Sequence, residues 1–323
     1  MNAALLLLAD SRLPAGGHGH SGGVEEAVRM GAIQDLVGLA AFLRGRLATA
    51  GLVTAALAAA ACEYATHLVT LPPETAGLTP LPPEAARHTA GRSGTDHLGA
   101  APLTTGSTGA APRVPEDGAG WVRLDAEADA RISSPAQREA SRTQGRLLLR
   151  TSRRIWPSPL LDAQAGAVPQ GVHHPLALGA VAAVAGCSPA EAALAAAYTS
   201  VTAPATAAVR LLGLDPVAVH RLLADLAPAL ERVAATVVTV PAVPGDPGNP
   251  TGSRDLGGPA VSPDSAGPGG STGSGSSTGP GSLTGPGTSG GLTGWEALPA
   301  HAAPALDLLA ERHIRADLRL FVS

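Results

Sequence analysis

The chain has 323 residues, a formal net charge of -4 and two cysteines, with 40 glycines and 29 prolines. So much glycine and proline excludes a chain packed throughout into helices, so the folding part is smaller than the whole length. Every basic residue is arginine and no basic aromatic patch accompanies them, which argues against nucleic acid as a partner, and without lysine no P-loop can reach a terminal phosphate.

Residues Ala3 to Asp10 form a short apolar run that reads as a helix. No basic residue precedes it and an aspartate closes it, so it is not read as a signal peptide. LPAGGHGHSGG follows as a loop, and a helix is predicted to open near Ser21, with that serine as its cap. Leu36, Ala40, Leu43 and Leu47 continue a helical stripe, and Leu52 to Leu68 is nearly all apolar. Gly51 reads as a joint between them, which gives two antiparallel helices. Residues 72–120 turn to Pro, Thr and Gly without a period and cannot bury enough surface to offset ordering entropy, so they read as a disordered insertion.

Order resumes at Trp121. Ser134-Pro135-Ala136-Gln137 has the form of a capping box and opens a helix to Trp156-Pro157, on which Arg142, Arg146 and Arg150 repeat at i, i+4. Such a stripe is ordinarily a solvated face. His173-His174-Pro175 introduces a short apolar helix ending near Gly186, and Ser188 to Asp215 follows as the longest stretch marked at both ends. Ser188, Pro189 and Glu191 supply a cap, a first-turn proline and a capping-box acid, and Gly213 suits a left-handed terminus. No charge falls between Ala192 and Val209, so this rod is predicted to be surrounded, with Pro204 kinking or splitting it. Its length also raises a membrane span, which Tyr198, Thr199, Ser200, Thr202, Pro204 and Thr206 argue against.

Asp215-Pro216 caps a further amphipathic helix through Leu222, Leu226, Leu230 and Val237. Residues 241–294 have the composition of a flexible Gly/Ser/Pro/Thr linker. Pro304 to Ala316 reads as one more helix before the tail Asp317 to Ser323. The prediction is an all-α fold, a single helical domain of residues 1–71, 121–240 and 295–323 around a central apolar helix, with two long disordered insertions at 72–120 and 241–294.

Candidate chemistry is sparse. No Gly-x-Ser-x-Gly elbow or HExxH pair is present, and although Asp10, His20 and Ser21 have the residue types of a hydrolytic triad, their closeness in sequence says nothing of geometry. His18, His20, His173 and His174 offer imidazoles without carboxylate or thiolate partners at ligand spacing, so no metal site and no cofactor is predicted. Cys62 and Cys187 read as small buried hydrophobes in a reducing cytoplasm. Arg210 interrupts the central helix near its C-terminus, where a cation suits the helix dipole or could reach an acidic partner.

Leu5 to Glu25 resembles the N-terminal signature of the UreF family of urease accessory proteins, with Asp10, Leu13, Pro14, Gly16, Gly17, His20, Ser21, Gly23 and Glu25 at matching places. Ser141 to Arg146, Tyr198 to Gly213 and Arg319 to Ser323 are similar to later family blocks. Departures are His18 in place of an aromatic residue, Val322 in place of a frequent arginine, Pro204, and the two loose tracts. The resemblance implies a non-catalytic cytoplasmic protein that acts with UreG, UreD (also called UreH) and apo-urease in nickel insertion, commonly as a homodimer and away from membranes. It implies partner-binding roles for Asp10, Pro14, His20, Ser21, Glu25, Arg142, Tyr198, Arg210, Arg319 and Phe321. Other classes compatible with the residues are a histidine-based nickel carrier and a membrane-associated helical protein. In an extended tail Leu318, Leu320 and Val322 face one side and Arg319 with Phe321 the other; the resemblance favours Phe321 and Arg319 in a partner groove, and the alternative is that Phe321 folds back on its own core.

Overall fold

A computed structural model describes residues 2–10, 13, 19–70, 118–238 and 295–321. The two predicted insertions, Pro14, His18 and Val322 lie outside the described residues or almost wholly so. Within them the fold is all-α: α1 (Ala3–Ala9), α2 (Val24–Arg29), α3 (Leu36–Arg46), α4 (Leu52–Thr70), α5 (Ala119–Arg131), α6 (Pro135–Ile155), α7 (Pro159–Ala167), α8 (His174–Val184), α9 (Pro189–Leu212), α10 (Pro216–Val238) and α11 (Pro304–Ile314).

The predicted rod is α9, and it is the central helix. Ser188 Oγ accepts the Glu191 N–H while Glu191 accepts the Ser188 N–H, a complete capping box, and Gly213 ends the helix at φ 63°. The same Glu191 carboxylate accepts the backbone N–H of Asn2 at 2.7 Å, so one side chain caps α9 and ties down the start of α1. Ala192, Ala193, Ala195, Ala197, Val201, Ala205 and Ala208 are buried, and α1, α2, α3, α4, α8 and α10 pack around them. The helix runs without a break through Pro204, so of the predicted kink or split the split does not occur.

One continuous core joins α4, α8 and α9. These helices are mostly alanine where they meet, and small side chains let backbones approach closely. A Cβ on Gly179 of α8 would lie 2.2 Å from the Ala58 carbonyl oxygen of α4, so glycine is required there by space.

The antiparallel pair predicted around Gly51 is not formed. Residues 36–70 make one helical rod, in which α3 passes through a π-helical turn, Leu47–Gly51, straight into α4. Gly51 is a packing glycine: a Cβ there would come within 3.0 Å of Ser200 Oγ on α9. A buried glycine and a turn glycine look alike in sequence, and only the neighbouring helix distinguishes them. The rod and α9 are long and apolar enough to cross a membrane by length and composition, but α4 and α9 spend those apolar faces on each other and on α8.

The capping box predicted at Ser134 is half local. Ser134 Oγ accepts the Gln137 N–H at 3.2 Å, but the returning carboxylate comes from Glu311 of α11, which accepts from Ser134 Oγ at 2.7 Å and from the Ala136 N–H at 3.0 Å. These bonds hold the Glu311 carboxyl below its usual range. An aromatic cluster anchors the segment just before α11, with Tyr64 edge-on to Trp121 at 4.8 Å and to Trp295 at 5.4 Å. Both cysteines are free and buried, and burial pushes the Cys62 thiol up to about 12, which leaves it unreactive at neutral pH.

Candidate partner interface

α2 packs on α9, α11 packs on α2, and the tail that follows α11 returns to Glu25 of α2. Gly23, at φ 92°, opens α2 in a left-handed conformation that favours glycine. Ser21 is therefore not the predicted cap: its Oγ is buried and makes no hydrogen bond among the described residues. Turning the chain at Gly23 puts Glu25 and Glu26 inside. Glu26 is fully buried and pairs with Arg29 and with Arg312 of α11, the latter at 3.1 Å. Glu25 accepts the Leu320 N–H at 2.6 Å and the Phe321 N–H at 3.1 Å. His313 Nε2 stands 3.1 Å from the Phe321 carbonyl oxygen.

Phe321 is thus held at both its N–H and its C=O, and its ring is only 8% exposed. The ring folds back on its own core, as the alternative reading of the tail allows. What faces solvent instead is Leu318, 90% exposed, and Leu320, 80% exposed, with Arg319 exposed between them.

Behind Phe321 lies a cavity of about 310 Å³ whose wall includes Asp10, His20, Arg46, His174, Arg210 and Phe321. Four residues that the resemblance marks, far apart in the chain, therefore border one space. His20 is buried, and burial pushes its imidazole down to about 4. Burial, with the neighbouring His20 adding to it, also pushes His174 down to about 4. Both are neutral at pH 7.

Sequence reasoning misses Arg46. Its Nε donates to the Ser200 carbonyl and its Nη1 to the Gly22 carbonyl, each at 2.8 Å. Ser200 lies four residues before Pro204, so its carbonyl lacks the helical N–H that any other residue at 204 would bring. Arg46 fills that deficit and at the same time pins the signature segment to the central helix. Burial pushes its guanidinium down to about 10, so it stays charged at neutral pH. The available signal is a proline inside an uncharged helix, which obliges some donor to reach the orphaned carbonyl.

Arg142 lies elsewhere. The stripe on α6 is expected to be solvated, yet Arg142 is 8% exposed and its guanidinium reaches Asp125 at 2.9 Å, Asp129 at 2.6 Å and the Gly171 carbonyl at 2.5 Å. His173, fully buried, places Nε2 2.9 Å from Asp129. Burial alone would raise the Asp129 carboxyl, but the His173 hydrogen bond and the Arg142 charge hold it below its usual value. Asp125, Asp129 and His173 are close enough to share a metal ion, but both carboxylates already face a guanidinium, so the arrangement is a clamp joining α5, α6 and the start of α8. It turns Arg142 and His173 inward, away from the cavity that holds His20 and His174. Close approach enforces it: a Cβ on Gly145 would lie 1.9 Å from the Val172 carbonyl oxygen.

Tyr198 is 40% exposed on α9. Arg210 is exposed and makes no hydrogen bond or ion pair among the described residues, which leaves its charge for the α9 dipole or for another molecule.

Residues 33–227 match the model of the UreF family. The chain is 41% identical to the urease accessory protein UreF of Mycolicibacterium vanbaalenii over 233 residues, 72% of this chain and 84% of that protein. It is 42% identical to the protein of that name from Mycobacterium sp. strain JLS over 231 residues, 72% and 82% of the two chains. With the Mycobacterium tuberculosis protein of the same name the identity is 36% over 232 residues, 72% and 83%.

Proposed function

The chain belongs to the UreF family of urease accessory proteins, and on that premise we propose that it is a non-catalytic cytoplasmic scaffold that bridges the GTPase UreG and UreD on apo-urease. In this role it couples GTP hydrolysis to delivery of nickel, the cargo, into the urease active site, and works as a homodimer. The observation that carries the reading is identity of 36–42% over 72% of the chain with proteins named urease accessory protein UreF.

The surface is in keeping with docking. Leu318 and Leu320 are large apolar side chains left in water beside Arg319, and burying a leucine is worth roughly 1.5–3 kcal/mol. Arg210 offers an unspent charge close to the same cavity. In this reading UreD meets the tail, and Arg210 and Tyr198 face a partner along α9. Coexpression with UreD, UreG and apo-urease, followed by co-purification and urease activation in defined nickel, tests the scaffold. The expected result is one complex containing all four proteins and activation that depends on this chain. Activation of equal extent without it would overturn the reading.

A second reading, histidine-based nickel carriage, has one observation in its favour: His20 and His174 border one cavity and are both neutral, the form in which imidazole binds metals. His173 is turned toward Asp129 instead, so among the described residues His20, His173 and His174 do not form one ligand set. Calorimetry with nickel on the purified protein separates the readings. One submicromolar site lost in His20→Ala and His174→Ala would favour the carrier.

A further inference from the structure

We propose that Glu25 and His313 form a clasp that sets the register of the tail and so decides which of its side chains enter the core and which meet a partner. The inference rests on the reading above that the tail is a docking element, and adds residues that position it without touching the partner.

The geometry is specific to a clasp. Two successive backbone N–H groups, of Leu320 and Phe321, converge on one carboxylate. In an extended strand successive N–H groups point to opposite sides, so the backbone must bend at this point, and the concavity made by adjacent N–H groups is suited to an anion. Glu25 supplies that anion from inside, only 9% exposed. His313, 2% exposed, completes the hold from the other side of the same residue, its Nε2 on the Phe321 carbonyl and its Nδ1 3.7 Å from the Glu25 carboxylate. Three contacts therefore fix Phe321: N–H, C=O and ring.

Other roles for Glu25 explain less. A first-turn glutamate suits the positive end of α2, but that effect is met by a solvated carboxylate and needs no tail. A tail held only by its Phe ring would leave the buried Glu25 without its hydrogen bonds, a costly state for a buried charge. With the clasp, a slip of one residue is disfavoured, because it would carry Leu320 into the ring's place and turn Phe321 out. The clasp is thus what keeps Leu318 and Leu320 outward.

The test uses the full chain with Glu25→Gln, His313→Ala and His313→Gln, and a chain lacking Leu318 to Ser323. Hydrogen exchange of the tail is read beside capture of UreD in pull-down. The amide introduced by Glu25→Gln would turn an N–H₂ toward a tail N–H, so this variant is expected to lower tail protection at least tenfold while α9 stays as protected as in the parent. His313→Ala should do the same, and His313→Gln, which keeps a donor, should retain most of the protection. Capture should fall in the same order. Parental tail protection in Glu25→Gln and His313→Ala would overturn the clasp. Lost protection with undiminished capture, in the face of lost capture on truncation, would overturn its positioning role. Should the truncated chain still capture UreD, the docking reading of the tail fails, and exchange alone decides the clasp. If Glu25→Gln does not fold, the contrast between the two His313 variants decides it.

Discussion

The interior where α4, α8 and α9 meet and the side where α2, α11 and the tail meet are held by different physics. The first is alanine and glycine brought so near that backbone touches backbone, as at Gly179 against Ala58. The second is carboxylates and guanidinium groups reaching across hundreds of residues, as Glu25 reaches Phe321 and Arg312 reaches Glu26. Close packing has one solution, and added volume has nowhere to go. Polar reach is set by a few directed bonds, each worth about 1.5–3 kcal/mol where one partner is charged, and such bonds can be lost one at a time while the apolar core stays packed. On the proposed scaffold role, a face held by the second kind of contact suits docking.

The comparison breaks most severely at Gly179. Helix propensity alone predicts that Gly179→Ala stabilises α8 by about 1 kcal/mol. Here the new Cβ would meet the Ala58 carbonyl oxygen at 2.2 Å and the Cys62 nitrogen at 2.9 Å, and α4 must move away. We expect a loss of about 3 kcal/mol or more, seen as a large drop in the denaturant midpoint or loss of soluble protein. A midpoint that rises would show that α4 and α8 are not in such contact.

Arg142 comes next, since it is a charged group buried at the level of the core. Arg142→Ala strands the Asp125 carboxylate, whose side chain is 4% exposed, without its cation. Breaking a buried pair from one side costs about 3–5 kcal/mol. Arg142→Lys should recover only part, because a single ammonium cannot span Asp125, Asp129 and the Gly171 carbonyl together. Chemical denaturation of the three proteins ranks them.

Acid probes the cavity side. His20 and His174 have folded values near 4, below the unfolded value of about 6.5. As pH falls through that window the unfolded chain takes up protons that the folded chain refuses, so stability is full above about pH 6.5 and is lost progressively toward pH 4. For His20 the loss is on the order of 3 kcal/mol at the acid limit. The Asp129 and Glu311 carboxyls, held low by their partners, lose their contribution only at lower pH still. Melting temperature against pH should fall from 6.5 to 4.5, and His20→Gln should flatten that fall. A profile unchanged by His20→Gln would sink the assignment.

How far the sequence reached follows the same division. The central helix and its two termini were legible because Ser188, Glu191 and Gly213 act on their own neighbours. The single rod of residues 36–70 was not, because Gly51 answers to Ser200, a residue 149 positions away. The side where α2, α11 and the tail meet was legible as residue types and not as contacts. Asp10, His20, Glu25 and Phe321 stood out, but whether Phe321 points out or in depends on Glu25 and His313, whose pairing no local spacing encodes. Arg142 stood out too, and its inward course was hidden for the same reason, since Asp125 and Gly171 lie on other elements.

Pro204 gives the finest test, because it joins the two kinds of region at a single carbonyl. Arg46→Ala removes the donors to Ser200 and Gly22, and leaving such groups unpaired costs about 1–3 kcal/mol. Pro204→Ala restores an N–H at 204, so the Ser200 carbonyl can close its ordinary helical bond without help from Arg46. Arg46→Ala should therefore cost less in the Pro204→Ala background, and the double-mutant cycle should return a coupling of about 1 kcal/mol. The part that persists in both backgrounds belongs to Gly22, the anchor of the signature segment. Equal costs in the two backgrounds would show that Arg46 does not stand in for the missing N–H, and that the central helix tolerates its proline by some other means.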